Sequence, residues 1–422
     1  MSVQRNNALI FVFITILIDS IGFGIIIPVM PNLIEYLTHC SDSQAAVYGG
    51  WLSVCYAIMQ FFCSPIMGGL SDKFGRRPIL LLSLFGLGVD YVFQAFAPTI
   101  MWLFVGRTIA GIGGASFTTA TAYIADISTP EKRGQNFGLV GAAFGLGFII
   151  GPALGGLVGK IDPRAPFMLA AAFSLLNFVY GYFVLPESLL KENRRKFDWK
   201  RANPVGSLLH LKSNKILLGL ITSLVLLYLA GHSVQSTWSF FTKFRFHWNE
   251  SMIGYSLTVV GVLIAVVQGG LIRIIVPKLG QKNSVYVGLL LYMVGLVLFA
   301  YASQGWMMYV FLLPYCLGGI CGPALQGIMS SQVPMSEQGE LQGALTSLMS
   351  LTSIFGPLIM NNTFAWFSDP VKAPIYFPGA HFLLGAICVL FSILFAIKSL
   401  KSWHAANVEP KMVVMEETAE VV

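Results

Sequence analysis

The stretch GGLSDKFGRRP, residues 68–78, stands between two long apolar runs, and its reading decides the fold. Its glycines allow a tight turn and close approach of two helices, while Asp72, Lys73, Arg76 and Arg77 can form a breakable network of mixed charge. Accumulation of Lys and Arg on one face of a membrane would account for the basic residues. It would account for neither Asp72 nor the spacing of Gly68 and Gly75. The flanking runs, near 47–70 and 78–97, are each long enough to cross a bilayer as a helix. The stretch therefore reads as a rim connection between two membrane spans.

Outward from this loop, further apolar runs lie near 8–36, 101–122, 135–158 and 166–186, and then near 215–242, 251–275, 284–303, 306–331, 339–363 and 376–399. The expected fold is an all-α integral membrane protein with twelve transmembrane helices in two six-helix pseudo-symmetric halves. Residues 1–186 form the first half, 187–214 a polar linker, 215–399 the second half and 400–422 a tail. Of the 422 residues 55% are apolar and only 11% charged, against about 25% charged in soluble domains, and mean hydropathy is +0.73. That balance excludes both a disordered chain and a large soluble domain.

The net charge of +7 does not imply nucleic acid, because the 26 basic residues are distributed by topology. Eight of them fall between Lys191 and Lys215, which makes the linker cytoplasmic and, with six spans on each side, places both termini there as well. Twenty basic residues then lie on the cytoplasmic side and five on the other, namely Lys160, Arg164, Lys243, Arg245 and Lys372, with Arg107 inside the membrane. The six cysteines lie mostly in apolar runs and imply no disulfide framework. The six histidines have neither each other nor cysteine at metal-ligand spacing, and no G-x-x-x-x-G-K-[ST] motif appears. No resident cofactor, metal or enzyme chemistry is expected. The first run is too long for a signal peptide and lacks a small-residue cleavage site, so it is expected to stay as the first span.

Sliding the chain by 205 residues brings Gly75 onto Gly280, Gly113 and Gly114 onto Gly318 and Gly319, and Gly134 and Gly138 onto Gly339 and Gly343. Gly151 and Pro152 fall on Gly356 and Pro357. Parallel halves related by an axis along the membrane normal, with a central site between them, are a secondary-transporter architecture.

Residues 68–78 resemble the signature loop of the major facilitator superfamily, G-x-x-x-D-[RK]-x-G-[RK]-[RK], and PKLGQK at 277–282 resembles its degenerate partner in the second half. The resemblance implies a gate at this rim built from Gly68, Asp72, Arg76 and Arg77, with Asp126 at the end of span 4 as a partner. In span 4, LFVGRTIAGIGG at 103–114 resembles the superfamily's second motif. An arginine at that depth costs roughly 2.5–3.5 kcal/mol on insertion scales, so Arg107 either faces the bundle and finds a carboxylate or snorkels to an interface. Asp19 in span 1 and Asp90 in span 3 are the acids deep in apolar runs. Span 5 spaces Gly147, Gly151, Gly155 and Gly159 at intervals of four, which suits close packing in any membrane bundle. With Pro152 added, GAAFGLGFIIGPALGG at 141–156 resembles the motif of superfamily antiporters and puts Gly151 and Pro152 among the gating candidates.

Nearly the whole chain is similar to the tetracycline/proton antiporters of Gram-negative bacteria. The likeness rests on IDSIGFGIIIPVMP at 18–31, GVDY at 88–91 with Ala97 and Pro98, FHW at 246–248, GGI at 318–320, PALQG at 323–327, QGELQG at 338–343 and LTSIFGP at 351–357. It implies a monomer in the bacterial inner membrane, bounded by the lipid bilayer, that expels an amphiphilic drug in exchange for protons. The energy source is the proton gradient, and the family's cargo is tetracycline as a singly charged chelate with a divalent metal. Asp19, Asp90 and Arg107 become the proton-coupling set, while Asp19, Gln60, Gln235, Gln268, Tyr292 and Gln326 are the candidate substrate contacts. Two departures weaken the transfer of substrate. Tyr292 stands where the family has an acid in span 9, and Ile264 where some members have a histidine in span 8. His232 is left as a titratable group in the second half or a hydrogen-bonded packing residue, and Asp90 as a coupling acid or the partner of a nearby polar group. The rival readings are proton-coupled uptake of a small metabolite and a non-transporting membrane receptor.

Overall fold

A bilayer core offers no water to backbone groups, so each segment must satisfy its own, and helices do so. The computed structural model describes residues 2–113, 116–127, 130–189, 191–194, 215–332, 338–371 and 373–417, with no strand among them. Ten helices among the described residues are long and apolar enough to cross a membrane. Two more segments complete the expected all-α series of twelve spans. The first six are Ser2–Ile26, Asp42–Phe74, Arg76–Ala95, Ile100–Gly113 followed by Ser116–Ile127, Pro130–Gly159 and Ala165–Val184. Span 7 is Lys215–Gln235, and span 8 is Glu250–Val266 extended by a π-helical turn, Val267–Leu271. Ile272–Ala300 carries the chain out of span 8 and through span 9, with a break at Gly280. Gly305–Gly318 with Cys321–Ser331, then Gln338–Ser368, then Ala380–Glu417 form spans 10 to 12. Most of the sequence-read linker, at 190 and 195–214, lies outside the described residues, as do Gly114, Lys372 and the last five residues of the tail.

The first span is shorter than its apolar run. It stops at Ile26, and the chain restarts as a rim helix, Met30–Thr38, because Pro28 cannot donate to a preceding turn and Pro31 suits the first turn of a new helix. Span 7 is likewise followed by a rim helix, Trp238–Phe246, with no proline at the break. Both rim helices terminate in a left-handed histidine, His39 at φ 53° and His247 at φ 54°. Each is followed by an N-cap side chain, Ser41 and Asn249, that accepts from the backbone N–H three residues on and starts spans 2 and 8 at Asp42 and Glu250. These pairs sit 208 residues apart, three more than the register read from the glycines. The internal repeat therefore covers the rim helices too, where no glycine marks it.

The 205-residue register has its own conformational imprint. Gly75 (φ 106°) and Gly280 (φ 76°) are the two glycines with positive φ among the described residues. Gly113 and Gly318 end the first parts of spans 4 and 10, and Pro152 and Pro357 both lie inside long helices. The span 5 stripe packs on span 1: a Cβ at Gly151 would fall 2.8 Å from the Ile21 carbonyl oxygen, and Gly155 meets the Ile25 backbone. Its opposite face meets span 8, where a Cβ at Gly156 would fall 2.6 Å from the Glu250 carbonyl oxygen. Span 2 packs in parallel fashion on span 11, with Gly50 against Pro357 and Asn361. All six cysteines are free.

Candidate functional site

At the end of the molecule that carries residues 68–78, Arg76 organises the rim. Gly75 turns the chain with a backbone that favours glycine, and a side chain there would also collide with the Glu187 carboxylate. Arg76 then pairs with Asp72 at 2.6 Å and donates to Ser71 Oγ at 2.5 Å through Nη1 and to Asp126 at 3.1 Å through Nε, while Ser71 Oγ donates to the Gly68 carbonyl at 2.7 Å. Arg77 donates to the Tyr182 carbonyl at 2.7 Å. Sequence reading missed Glu187 and Ser188. Glu187 accepts from the backbone N–H groups of Arg76 (2.8 Å) and Arg77 (3.3 Å), capping the start of span 3, and Ser188 donates to Asp126 at 3.1 Å. The signal that could have found it was an acid just past span 6 at a rim otherwise crowded with basic residues. Among the described residues, the partners of this network all precede residue 195. The network braces spans 2, 3, 4 and 6 against one another and, among the described residues, does not bridge to the later helices.

The carboxylate side chains on Arg76 differ in depth, that of Asp72 being 44% exposed and that of Asp126 21%. Exposed pairs are worth about 0.2–1 kcal/mol and charge-assisted bonds away from water about 1.5–3. Asp126→Asn should therefore slow turnover about tenfold and Asp72→Asn only about threefold, with substrate affinity held within twofold in both. Parallel measurements of counterflow rate and equilibrium drug binding check this, and equal losses in rate and affinity would make the loop merely topogenic.

Inside the first half the sequence-predicted charges are brought together. Asp90 is fully buried and Arg107 is 9% exposed, so the snorkelling alternative for Arg107 does not hold. Tyr56 of span 2 and Tyr91 of span 3 each lie within electrostatic reach of Asp19, Asp90 and Arg107 at once. Tyr91 rests on span 1 at Gly22, where a Cβ would fall 2.7 Å from its hydroxyl, and Gly111 lets span 4 approach Tyr56. Gln60 donates to the Tyr56 hydroxyl at 3.3 Å. Tyr56 carried no motif, and Tyr91 stood in GVDY without being singled out.

The second half supplies polar groups and no carboxylate at this depth among the described residues. Gln326 donates to the Tyr228 hydroxyl at 3.0 Å. Tyr292 donates to the Tyr315 hydroxyl at 3.0 Å, with ring centroids 4.6 Å apart, and lies across Gly318 at the break in span 10. Gln268 sits on the π-helical turn of span 8, with its amide beside Gly319, and Gln235 is exposed at the end of span 7. His232 packs against Gly356, where span 11 crosses span 7, as Gly151 meets span 1 in the first half.

The end opposite Arg76 is closed by contacts across the two halves. Lys243 on one rim helix pairs with Glu35 on the other and with Asp42 at 3.1 Å, and Asn32 donates to Glu250. Ser251 Oγ donates to the Gly156 carbonyl at 2.9 Å, and Thr258 Oγ1 to the Ile149 carbonyl at 3.2 Å. Nearer the Arg76 end, nothing among the described residues lies within 4 Å of where a Cβ would stand at Gly145, Gly269 or Gly270. A twelve-span bundle tied across its two halves at one end, around a largely enclosed cluster of two acids and an arginine, suits alternating access.

The family model described as Major Facilitator Superfamily matches residues 12–357. The chain belongs to the Major Facilitator Superfamily. It is 42% identical to the class C tetracycline resistance protein of Escherichia coli over 86% of this chain and 91% of that protein. Its identity to the class H tetracycline resistance protein of Pasteurella multocida is 34%, over 97% of this chain and 99% of that one. A solved bacterial homologue of the human lysosomal transporter Spinster, inward-facing and occupied, superposes with a TM-score of 0.74 at 14% identity, covering 94% of this chain and 97% of that one, which bears on fold alone. This superfamily member is a multi-pass membrane transporter of the drug-efflux kind and not an enzyme.

Proposed function

We propose that the protein is a proton-coupled antiporter of the bacterial inner membrane that exports an amphiphilic drug, tetracycline-like or another. The gathering of a half-buried Asp19 with the buried Asp90 and Arg107 around Tyr56 and Tyr91 carries this reading. A bare carboxylate in a low-dielectric site is costly, and either a proton or a cationic group of the drug removes that cost, so the two compete. The charge distribution supports a cytoplasmic linker and cytoplasmic termini, which makes the closed end the outer one and the structure inward-open. Residues 1–186 and 215–399 act as the two rocking halves. A divalent metal enters only as part of a chelated cargo.

The substrate follows from what the second half lacks. A cationic chelate needs charge around it, and the place of the family's span 9 acid is taken by Tyr292, whose hydroxyl already donates to Tyr315. Native protein in an efflux-deficient host should therefore give weak tetracycline resistance, and the tilted ring pair of Tyr292 and Tyr315 favours a flatter, less charged amphiphile. Tyr292→Asp should raise the inhibitory concentration of tetracycline at least about fivefold, since one restored charge contact is worth ~1 kcal/mol or more. Strong native resistance would refute the discount of that substrate. Efflux that survives a protonophore would refute proton coupling.

A further inference from the structure

One helical turn past Asp90, span 3 carries an amide that no motif marks. Gln94 is 1% exposed, and its Nε2 donates to Asp90 Oδ2 at 2.7 Å. The two remaining oxygens, Asp90 Oδ1 and Gln94 Oε1, are shielded from solvent and have no hydrogen-bond partner among the described residues. Span 4 closes over the pair at Gly106, where a Cβ would fall 2.6 Å from Gln94 Cγ and 2.9 Å from Asp90 Oδ1. Arg107 follows it in sequence, and Asp19, Tyr56 and Tyr91 complete the titratable groups facing this point from spans 1, 2 and 3.

We propose that Gln94 is a positioning residue that serves both protonation states of Asp90, and that Gly106 keeps it seated. This rests on the reading of Asp90 as a coupling acid. A carboxylate accepts hydrogen bonds only, whereas a carboxylic acid has one O–H to donate. The Gln94 amide presents a donor and an acceptor at the same place. In the arrangement seen it donates to the carboxylate. After Asp90 takes up a proton, a half-turn of the amide offers Oε1 to the new O–H, with no water needed. Two buried acceptors without a donor are an unfavourable pair, and the arriving proton supplies the missing donor. The step adds one proton to one carboxylate and breaks no covalent bond. A methionine of the same length would fill the volume and do neither, and a Cβ at residue 106 would push the amide off the acid. An ordinary helical contact between residues four apart would stabilise the span without affecting the titration.

The test uses full-length protein in lipid and needs no drug. Difference infrared spectroscopy follows a carboxyl C=O band assigned to Asp90 by its loss in Asp90→Asn. Gln94→Met removes the hydrogen bond to each form, and because the one to the charged form is the stronger, the band should titrate about one pH unit higher. Its frequency should rise, and Gly106→Ala should move the midpoint the same way. Gly86→Ala on the same span, where a Cβ meets nothing within 4 Å, should leave both unchanged. A band that titrates in native protein but ignores Gln94→Met would reduce Gln94 to a structural contact while sparing Asp90 as a coupling acid. Absence of any band sensitive to Asp90→Asn throughout the folded pH range would overturn the role of Asp90 and the inference with it.

Discussion

Asp19→Asn should lower proton-driven drug transport roughly 100-fold while leaving the protein folded and able to exchange drug for drug. The magnitude follows from the cost of a charge in the bilayer core, roughly 2.5–3.5 kcal/mol on insertion scales, which is the free energy the carboxylate makes available to couple proton and cargo. The amide keeps the volume and hydrogen-bonding capacity of the side chain and loses the titration. Asp19 shares its surroundings with Asp90 and Arg107 through Tyr56 and Tyr91, so the remaining charges persist in the variant and counterflow should continue. Parallel assays in proteoliposomes, one driven by a pH gradient and one by a drug gradient alone, separate the two. Full gradient-driven transport by Asp19→Asn would move coupling to Asp90.

Removing the Lys243 charge should open the outer end. Lys243 is the cation between Glu35 and Asp42, and its side chain is 20% exposed, between the surface and buried limits for ion pairs. Leaving the two acids facing each other should destabilise closure by about 2 kcal/mol, a roughly 30-fold shift in population. Spin labels at Gln44 and Arg245, both exposed, in a cysteine-free background would report Lys243→Met as a longer distance. An unchanged distance would show that the apolar seams of spans 5 with 8 and 2 with 11 suffice to hold the closed end.

The same latch should respond to pH. Glu35 lies beyond the end of span 1, and burial, with Asp42 beside it, raises its carboxyl from 4.5 to about 7 despite Lys243. Opening returns Glu35 to water and to its ordinary value, so the closed state binds a proton that the open state releases. Closure is then favoured fully below about 4.5, and the preference is lost as pH rises through about 7. The other charged groups at the latch are Asp42, Lys243, Glu250 and His247. Label distances should shorten from pH 8 to pH 5.5 in native protein and stay short in Glu35→Gln. A pH dependence that survives Glu35→Gln would remove Glu35 as the origin of the response.

Much of this molecule was legible before any coordinates. Apolar runs of bilayer length leave helices as the one way to satisfy the backbone, so the spans followed from composition and periodicity, while the cost of a charge in hydrocarbon left Arg107 either facing an acid in the bundle or snorkelling, and the structure buries it. The pairing of Arg76 with Asp126 was reached through resemblance and stands at 3.1 Å. The glycine register of 205 residues survives as matched positive φ at Gly75 and Gly280, because a turn that only glycine adopts readily is written in the residue itself. What only the tertiary structure decided has no local code. Pro28 broke an apolar run that hydropathy reads as continuous, and the resulting rim helices set Glu35 against Lys243 across the two halves. Glu187 became the cap of a helix more than a hundred residues upstream. Gln94 looked like any polar residue near the end of a span until Gly106 of the neighbouring helix closed over it and sealed it against Asp90. Each of these depends on which helix face meets which, a matter of packing between distant segments, whereas the spans depend on the solvent that surrounds them.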